Sequence, residues 1–311
     1  MLTLAPTFAC RRAPTRLIRD VHYTAVRAFN SSTPQTLSPS SPPPESGPFS
    51  LAGTAPYHTA YILLHTHLPP AEYPARSRSP LWRAFTMKAR QWGGTVNFAW
   101  SPEMRTHPDY RGLGEEKHHH AHGAERYTAS VFSIAHRHGR LEIPEVSLAN
   151  LDEVDEKLRG LVLGGSGSEL DRLDRRLHLY VCTHGSRDCR CGEGGGEVAR
   201  ALRRELDKRG LGEKEVELGE VAHVGGHKYA ANVLVYPYGD WLGMVQDFDV
   251  PRILDELLAW HAAHKEQLQL ARATAQPDAP VEALPPLCPP FWRGRMGLDK
   301  DEQLALLSKA L

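Results

Sequence analysis

The 311-residue sequence has few cysteines, no long apolar run and no excess of either charge. Five cysteines are too few for the disulfide framework of a small secreted scaffold. No run of about 18 apolar residues is present, which excludes a membrane-spanning helix. Lysine and arginine number 37, as do aspartate and glutamate. This balance argues against a general nucleic-acid-binding protein and against a polybasic membrane-binding protein.

The amino-terminal segment is typical of a targeting sequence. Residues 1–30 hold five arginines and one acid, interleaved with apolar residues, and Arg27-Ala28-Phe29 has the pattern of a matrix-protease cleavage site. This composition predicts a mitochondrial presequence, with a disordered basic tail as the alternative. Residues 31–54, rich in serine and proline, predict a disordered linker. We therefore expect a mitochondrial protein, in the matrix rather than the intermembrane space.

Apolar periodicity predicts two halves with the same order of elements, strand-helix-strand-strand-strand-helix. In the first half, residues 55–165, the expected strands are Ala60–His65, Thr95–Trp100, Tyr127–His136 and Leu141–Val146, with helices over Leu81–Trp92 and Leu151–Leu163. In the second, residues 175–270, the expected strands are Leu177–Cys182, Val216–Ala222, Asn232–Tyr236 and Trp241–Val245, with helices over Glu197–Lys208 and about 251–270.

A glycine-serine linker at residues 164–168 separates the halves. The shared order favours an α/β fold made of two thioredoxin-like halves. What repeats is the order of elements and not the sequence, so a duplication is a suggestion only. Residues 271–311 are expected to form an extended tail that ends in a short helix over Asp299–Leu311.

The second half concentrates the residues that can carry chemistry. Cys182, Cys189 and Cys191 lie between its first strand and first helix, and His223 and His227 follow in a glycine-containing loop. Two thiolates and two imidazoles suit either zinc or an iron–sulfur cluster. The spacing of the cysteines fits a zinc finger poorly, and no C-x-x-C redox motif is present.

Four segments of the sequence resemble one known family. They are VCTHGSRDCRCG and HVGGHKYAANVLVYPYGDWLG in the second half, and ILLHTHLPPAEYP and WGGTVNFAWS in the first. Together with the closing FWRGRMGLDKDEQ, they are similar to the sucrase/ferredoxin-like group of thioredoxin-like ferredoxins, in a fungal mitochondrial branch that uses histidine ligands. The resemblance covers about residues 55–305.

The resemblance implies a [2Fe–2S] cluster held by Cys182, Cys191, His223 and His227 in the second half. By family position, Cys189 is not a ligand. The chain would be an electron carrier rather than an enzyme, passing single electrons between protein partners, with a role in redox homeostasis. The first half has no cysteine after Cys10, so it is expected to be a degenerate half that supports the site or a partner surface.

The ligand set itself has a chemical consequence. An oxidised [2Fe–2S] centre is formally about −2 with four thiolates, and about 0 with two thiolates and two neutral imidazoles. Histidine ligation therefore raises the reduction potential, as in Rieske centres. A ligating imidazole keeps a second ring N–H, so reduction can be coupled to proton uptake. We expect a pH-dependent potential above that of plant-type ferredoxins.

Two other functions remain open from the residues. One is a metal-free thiol–disulfide oxidoreductase that uses Cys182, Cys189 and Cys191, and the other is a structural zinc protein. Further candidates have weaker support: Arg187, Asp188 and Lys228 could contact the ligands, His184 is expected in a hydrogen-bonded turn, Cys288 has no visible partner, and the histidine run 118–122 is expected to be a solvated loop.

Overall fold

The computed structural model describes residues 50–103, 105–113, 124–136, 139–164, 176–274 and 284–311. The predicted presequence, residues 31–49 of the serine/proline linker, the histidine run 118–122 and most of the glycine-serine linker lie outside these residues. Leu51–Leu311 forms one compact unit. Within the part of the chain that is described, no helix is both long and apolar enough to cross a membrane.

A nine-stranded mixed sheet with five α-helices forms the described part of this unit, in the order β4-β3-β1-β2-β6-β5-β7-β8-β9. The strands are β1 Ala60–His65, β2 Gly94–Trp100, β3 Arg126–Ser133, β4 Leu141–Ser147, β5 Leu177–Cys182, β6 Val216–Val221, β7 Val233–Tyr236, β8 Asp240–Leu242 and β9 Trp292–Arg295. The helices are α1 Pro80–Ala89, α2 Leu151–Gly164, α3 Gly196–Arg209, α4 Val250–Thr274 and α5 Lys300–Ala310.

Strand directions follow the same pattern on both sides of the sheet. β1 is parallel to β2 and antiparallel to β3, and β5 is likewise parallel to β6 and antiparallel to β7. An antiparallel contact between β2 and β6, through Ala99–Val221 and Trp100–Glu220, joins the two sides. The predicted α/β class is confirmed. The repeated pattern of strand directions agrees with two similar halves. That each half is a thioredoxin-like unit stays a prediction.

β1 and β5 lie between two neighbouring strands each, are buried on both faces and divide their residues between separate cores. In β5, Leu177, Leu179 and Val181 pack against the core that contains α3 and α4, whereas Tyr180 and Cys182 point to the opposite face. β1 divides its residues between two cores in the same alternating way, as expected because successive strand side chains point to opposite faces. Cys182 therefore lies at the end of a strand, on the face away from the helices.

The sheet curls so that this second face closes on itself. β3 and β7 are separated by four strands in the sheet, yet the rings of Phe132 and Tyr236 stack with centroids 4.1 Å apart. Tyr61, Tyr180 and Trp241 belong to the same buried cluster, as do Cys182 and Cys191. The cysteines thus border an aromatic core enclosed by the two sides of the sheet.

Element boundaries mostly follow local sequence signals. Ser79 caps α1 by accepting a hydrogen bond from the Trp82 N–H, with Pro80 at the first helical position. Asp299 caps α5 in a capping box with Glu302. The closing segment differs from the predicted extended tail in one respect: it contributes strand β9, which pairs with β8 and had no predicted counterpart.

Candidate metal centre

Cys182 is the last residue of β5 and is 1% exposed. Its backbone N–H donates to the carbonyl oxygen of Asn232, 3.1 Å away. This bond ties the cysteine to the segment that precedes β7. The thiol is free of any disulfide, as is that of Cys191.

Cys191 reaches the site through a tight glycine-rich turn. It begins a π-helical turn, Cys191–Gly195, that continues into α3. This turn packs directly on the end of β5, because a Cβ atom at Gly195 would collide with the carbonyl oxygen of Cys182. A Cβ atom at Gly192 would likewise lie 2.6 Å from the Cα atom of Gly185. The glycines are therefore required by close backbone approach, which brings the two cysteines together.

His223 completes a compact group with the two cysteines. The ligand atoms of Cys182, Cys191 and His223 all lie within 4.8 Å of one another. The Sγ atom of Cys191 is 3.6 Å from Nδ1 of His223. Both sulfurs are buried, whereas His223 is half-buried, so the group opens to solvent on its histidine side.

His227 lies beside this group and not within it. Its ring stacks on that of His223 with centroids 5.7 Å apart. Its side chain is 49% exposed, and its Nδ1 atom is 3.6 Å from a carboxylate oxygen of Asp188. The structure therefore brings three of the four predicted ligands together and places the fourth at the solvent-facing rim.

Hydrogen bonding distinguishes the two thiols. A hydrogen bond from Cys191, together with backbone hydrogen bonds from Val224 and His184, lowers the pKa of Cys182 despite its burial. The hydrogen bond with Cys182, and then burial, raise the pKa of Cys191, which His223 opposes. The pair thus favours a thiolate at Cys182, the protonation state that a soft metal ligand requires.

The remaining candidates surround this group. Cys189 is exposed and does not belong to the group of three. His184 bridges two segments, since its Nε2 atom lies 3.1 Å from the Pro74 carbonyl oxygen and its Nδ1 atom accepts from the His223 N–H. Asp188 also pairs with Arg190 at 2.9 Å. Lys228 is exposed, with its ammonium 4.8 Å from the centroid of the Tyr229 ring.

Sequence reasoning missed two polar residues beneath the histidine loop, Asn232 and Arg293. Both are 1% exposed, and they are joined by a 2.6 Å hydrogen bond. An arginine within the apolar segment FWRGRMG was the only available signal. That sequence signal does not indicate that the Arg293 guanidinium is buried.

Comparison with known proteins identifies the family. Residues 51–270 match the sucrase/ferredoxin-like family. The chain belongs to this family. The match spans most of the described unit and includes both cysteines and both histidines of the candidate centre.

Relatives of this sucrase/ferredoxin-like chain include fungal proteins. "Altered inheritance of mitochondria protein 32" of Meyerozyma guilliermondii is 36% identical over 118 residues, which are 37% of this chain and 40% of that protein. "Actin patches distal protein 1" of Saccharomyces cerevisiae is 34% identical over 94 residues, 27% of this chain and 30% of that protein. The chain thus matches less than half the length of either relative.

Among solved structures, the thioredoxin-like [2Fe-2S] ferredoxin from Aquifex aeolicus is similar to part of the chain. The similarity covers 27% of this chain and 86% of that one, with 22% identity and a TM-score of 0.24. At that score, the match carries no weight for the candidate centre.

Proposed function

We propose that this chain is a mitochondrial electron-transfer protein that binds a [2Fe–2S] cluster through Cys182, Cys191, His223 and His227. The observation that carries the proposal is the group formed by Cys182, Cys191 and His223, whose ligand atoms lie within 4.8 Å of one another. A bound [2Fe–2S] cluster would supply one-electron transfer.

The donor set fits such a cluster. Soft thiolates and imidazoles are the ligands of iron–sulfur centres in which histidine replaces cysteine. A single tetrahedral zinc ion needs its four ligand atoms around one point, whereas a two-iron centre distributes its ligands over two metal ions. The placement of His227 beside the group, rather than within it, favours the two-iron centre over structural zinc.

The surrounding residues have separate tasks in this proposal. Cys182 and Cys191 would bind the cluster on its buried side. Backbone hydrogen bonds to the Cys182 sulfur would favour the added electron there. The two histidines form the solvent-facing side, where the ring N–H that is not used for ligation can exchange a proton with water. Asp188, 3.6 Å from Nδ1 of His227, can orient that ring and leave Nε2 for the metal.

A metal-free thiol–disulfide oxidoreductase fits the site less well. Thiol exchange requires a thiolate that an incoming disulfide can reach. Cys182 and Cys191 are at most 1% exposed, and only Cys189 of the three cysteines faces solvent. The thiol whose pKa is lowered, Cys182, is therefore out of reach of an incoming disulfide.

The predicted presequence and the names of the relatives support the mitochondrial part of the proposal. The arginine-rich, acid-poor residues 1–30 favour import into mitochondria, the matrix before the intermembrane space, and several relatives are named for mitochondrial inheritance. We assign the chain a role in redox homeostasis, with protein redox partners as its electron donor and acceptor.

The test is elemental and spectroscopic analysis of the anaerobically purified full-length protein. We expect broad visible bands with about two irons and two acid-labile sulfides per chain. Cys182→Ser and Cys191→Ser should abolish the bands. Cys288→Ser, which changes another buried free cysteine, should retain them. Stoichiometric zinc, or a colourless wild-type protein after cluster reconstitution, would contradict the proposal.

A further inference from the structure

Arg293, in the last strand of the sheet, is a buried cation. Its side chain is 1% exposed. Its Nη1 donates to Oδ1 of Asn232 at 2.6 Å, its Nη2 to the Thr54 carbonyl at 2.6 Å and its Nε to Oγ1 of Thr54 at 3.1 Å. The guanidinium also lies over the Tyr229 ring, 4.6 Å from its centroid. Each of these three polar partners is a neutral oxygen.

Arg295, two residues along the same strand, shows what the usual arrangement looks like. It is equally buried, and its guanidinium pairs with the buried carboxylate of Asp240 through two contacts of 3.0 Å. Within the described residues, Arg293 forms no ion pair with a carboxylate. Burying an unpaired charge is costly. A negative charge near the Arg293 guanidinium would therefore be stabilised.

The guanidinium lies against the loop that carries the two candidate histidine ligands. A Cβ atom at Gly226, in the loop between His223 and His227, would lie 2.6 Å from Nη2 of Arg293. Asn232 connects the guanidinium to both sides of the centre, since its carbonyl accepts from the Cys182 N–H and its side-chain amide donates to the Gly226 carbonyl at 3.4 Å. Arg293 therefore supports the first cysteine and the histidine loop through one shared residue.

Arg293 remains charged at neutral pH. Burial lowers its pKa to about 10, and the nearby Tyr229 and Cys182 oppose that shift. The segment that supports Cys182 and the histidine loop thus carries a full positive charge.

We propose that Arg293 is a positioning residue of the candidate centre, whose uncompensated charge favours the reduced state and whose hydrogen bonds hold the histidine loop. This inference rests on the proposed [2Fe–2S] function. With two thiolates and two neutral imidazoles, reduction changes the formal charge of the centre from about 0 to −1. A fixed cation stabilises the second state more than the first, and so raises the reduction potential.

Two independent substitutions remove this charge. Arg293→Gln deletes it, and Thr54→Asp neutralises it by placing a carboxylate beside the Nε of Arg293. Each is expected to lower the equilibrium constant for reduction by about tenfold, which for one electron is about 59 mV in midpoint potential. Redox titration of the cluster-loaded full-length protein at one pH measures the shift in midpoint potential. The titration is monitored through the visible absorption of the protein.

Three matched variants distinguish an effect of the charge on the potential from an effect of changed structure. Arg293→Lys keeps the charge, and Thr54→Asn replaces the threonine without adding one. The double variant Arg295→Gln with Asp240→Asn removes the buried ion pair between β9 and β8 and leaves the net charge unchanged. All three are expected to keep the wild-type potential, and melting of the metal-free proteins reports any loss of stability separately.

The outcomes distinguish the inference from the proposed function. Lowered potentials in Arg293→Gln and Thr54→Asp, with unchanged potentials in the three controls, would support it. If Arg293→Gln fails to load, the Thr54→Asp and Thr54→Asn pair decides the question. Unchanged potentials in the charge-removing variants, or an equal shift in Arg293→Lys or Thr54→Asn, would overturn the inference alone. A wild-type protein that binds no iron would overturn the proposed function as well.

Discussion

The two candidate histidine ligands differ in their surroundings, although they are only four residues apart in the chain. His223 is half-buried and lies against Cys191, whereas the side chain of His227 is 49% exposed and faces Asp188. An exposed imidazole exchanges protons with solvent more readily than a buried one. The coupling of proton uptake to electron uptake that histidine ligation predicts is therefore best tested at His227, the proposed ligand that is more open to water.

Replacing His227 by cysteine tests this coupling. A thiolate adds a negative charge where a neutral imidazole would be, and it has no ring proton to exchange. We expect His227→Cys to bind the cluster, to lower the midpoint potential by about 100 mV or more and to reduce its dependence on pH. Redox titrations between pH 6 and 10 measure both effects.

His184→Gln is the matched control, because His184 lies next to the site through its hydrogen bond with the His223 N–H but is not a proposed ligand. It should bind the cluster and keep a pH-dependent potential. A wild-type potential that does not change with pH would contradict histidine ligation altogether.

At the scale of elements, the turn between β5 and α3 determines whether the two cysteines can meet. Gly195 and Gly194 are neighbours in this turn, but they differ in the space around them. A Cβ atom at Gly195 would collide with the Cys182 carbonyl, whereas one at Gly194 would meet no described atom within 4 Å. The same glycine-to-alanine change therefore has different consequences at adjacent positions.

We expect Gly195→Ala to destabilise the protein by about 2–3 kcal/mol, because the turn must move away from β5. The movement would separate Cys191 from Cys182 and reduce cluster content. Gly194→Ala should remain within about 1 kcal/mol of wild type and should keep full cluster content. Urea unfolding and iron analysis of both variants check this, and equal losses in the two would contradict the close packing of the turn on β5.

Much of the element structure could be predicted from local sequence, because the signals there are local. The buried runs Ala60–His65 and Leu177–Cys182 coincide with β1 and β5, and serine before proline marked the start of α1. β9 could not be predicted in this way. Its four residues include two arginines that become compatible with burial only through distant partners, Asn232 and Asp240.

The candidate centre could be predicted only in part, for the same reason. The types of residue indicate a metal site, and the element order predicts that Cys182, Cys191 and the histidine loop lie at the ends of neighbouring elements. The offset of His227 and the buried charge of Arg293 depend on how the loop between His223 and His227 packs on β9. Contacts between segments so distant in the chain leave no periodic pattern.

At the scale of the whole unit, the curled sheet encloses a buried ionic network as well as an aromatic core. Arg140, just before β4, forms two short contacts with the carboxylate of Glu217 in β6, of 2.5 and 2.6 Å. Three strands, β3, β1 and β2, lie between β4 and β6 in the sheet, so the ion pair spans the curl. His178 of β5 lies 3.7 Å from the same carboxylate.

This network makes the stability of the curl dependent on pH. Burial alone would raise the pKa of Glu217, but its interactions with His178 and Arg140 outweigh burial and lower the pKa to about 2. Because the folded-state pKa lies below the ordinary value of about 4.5, ionised Glu217 stabilises the fold above pH 4.5, and this contribution disappears as the pH falls from 4.5 to 2. The difference between the two pKa values corresponds to about 3 kcal/mol.

Glu217→Gln is therefore expected to lose about 3 kcal/mol at pH 7 and to approach the stability of the wild-type protein near pH 2. Glu153→Gln, at an exposed position of α2, should follow the wild-type curve throughout. Urea unfolding of the wild type and the two variants between pH 2 and 7 measures their free energies of unfolding. The proteins are metal-free, so that metal binding does not contribute to the measured stability. If Glu217→Gln stayed parallel to the wild type down to pH 2, the ion pair across the curl would not be a source of acid sensitivity.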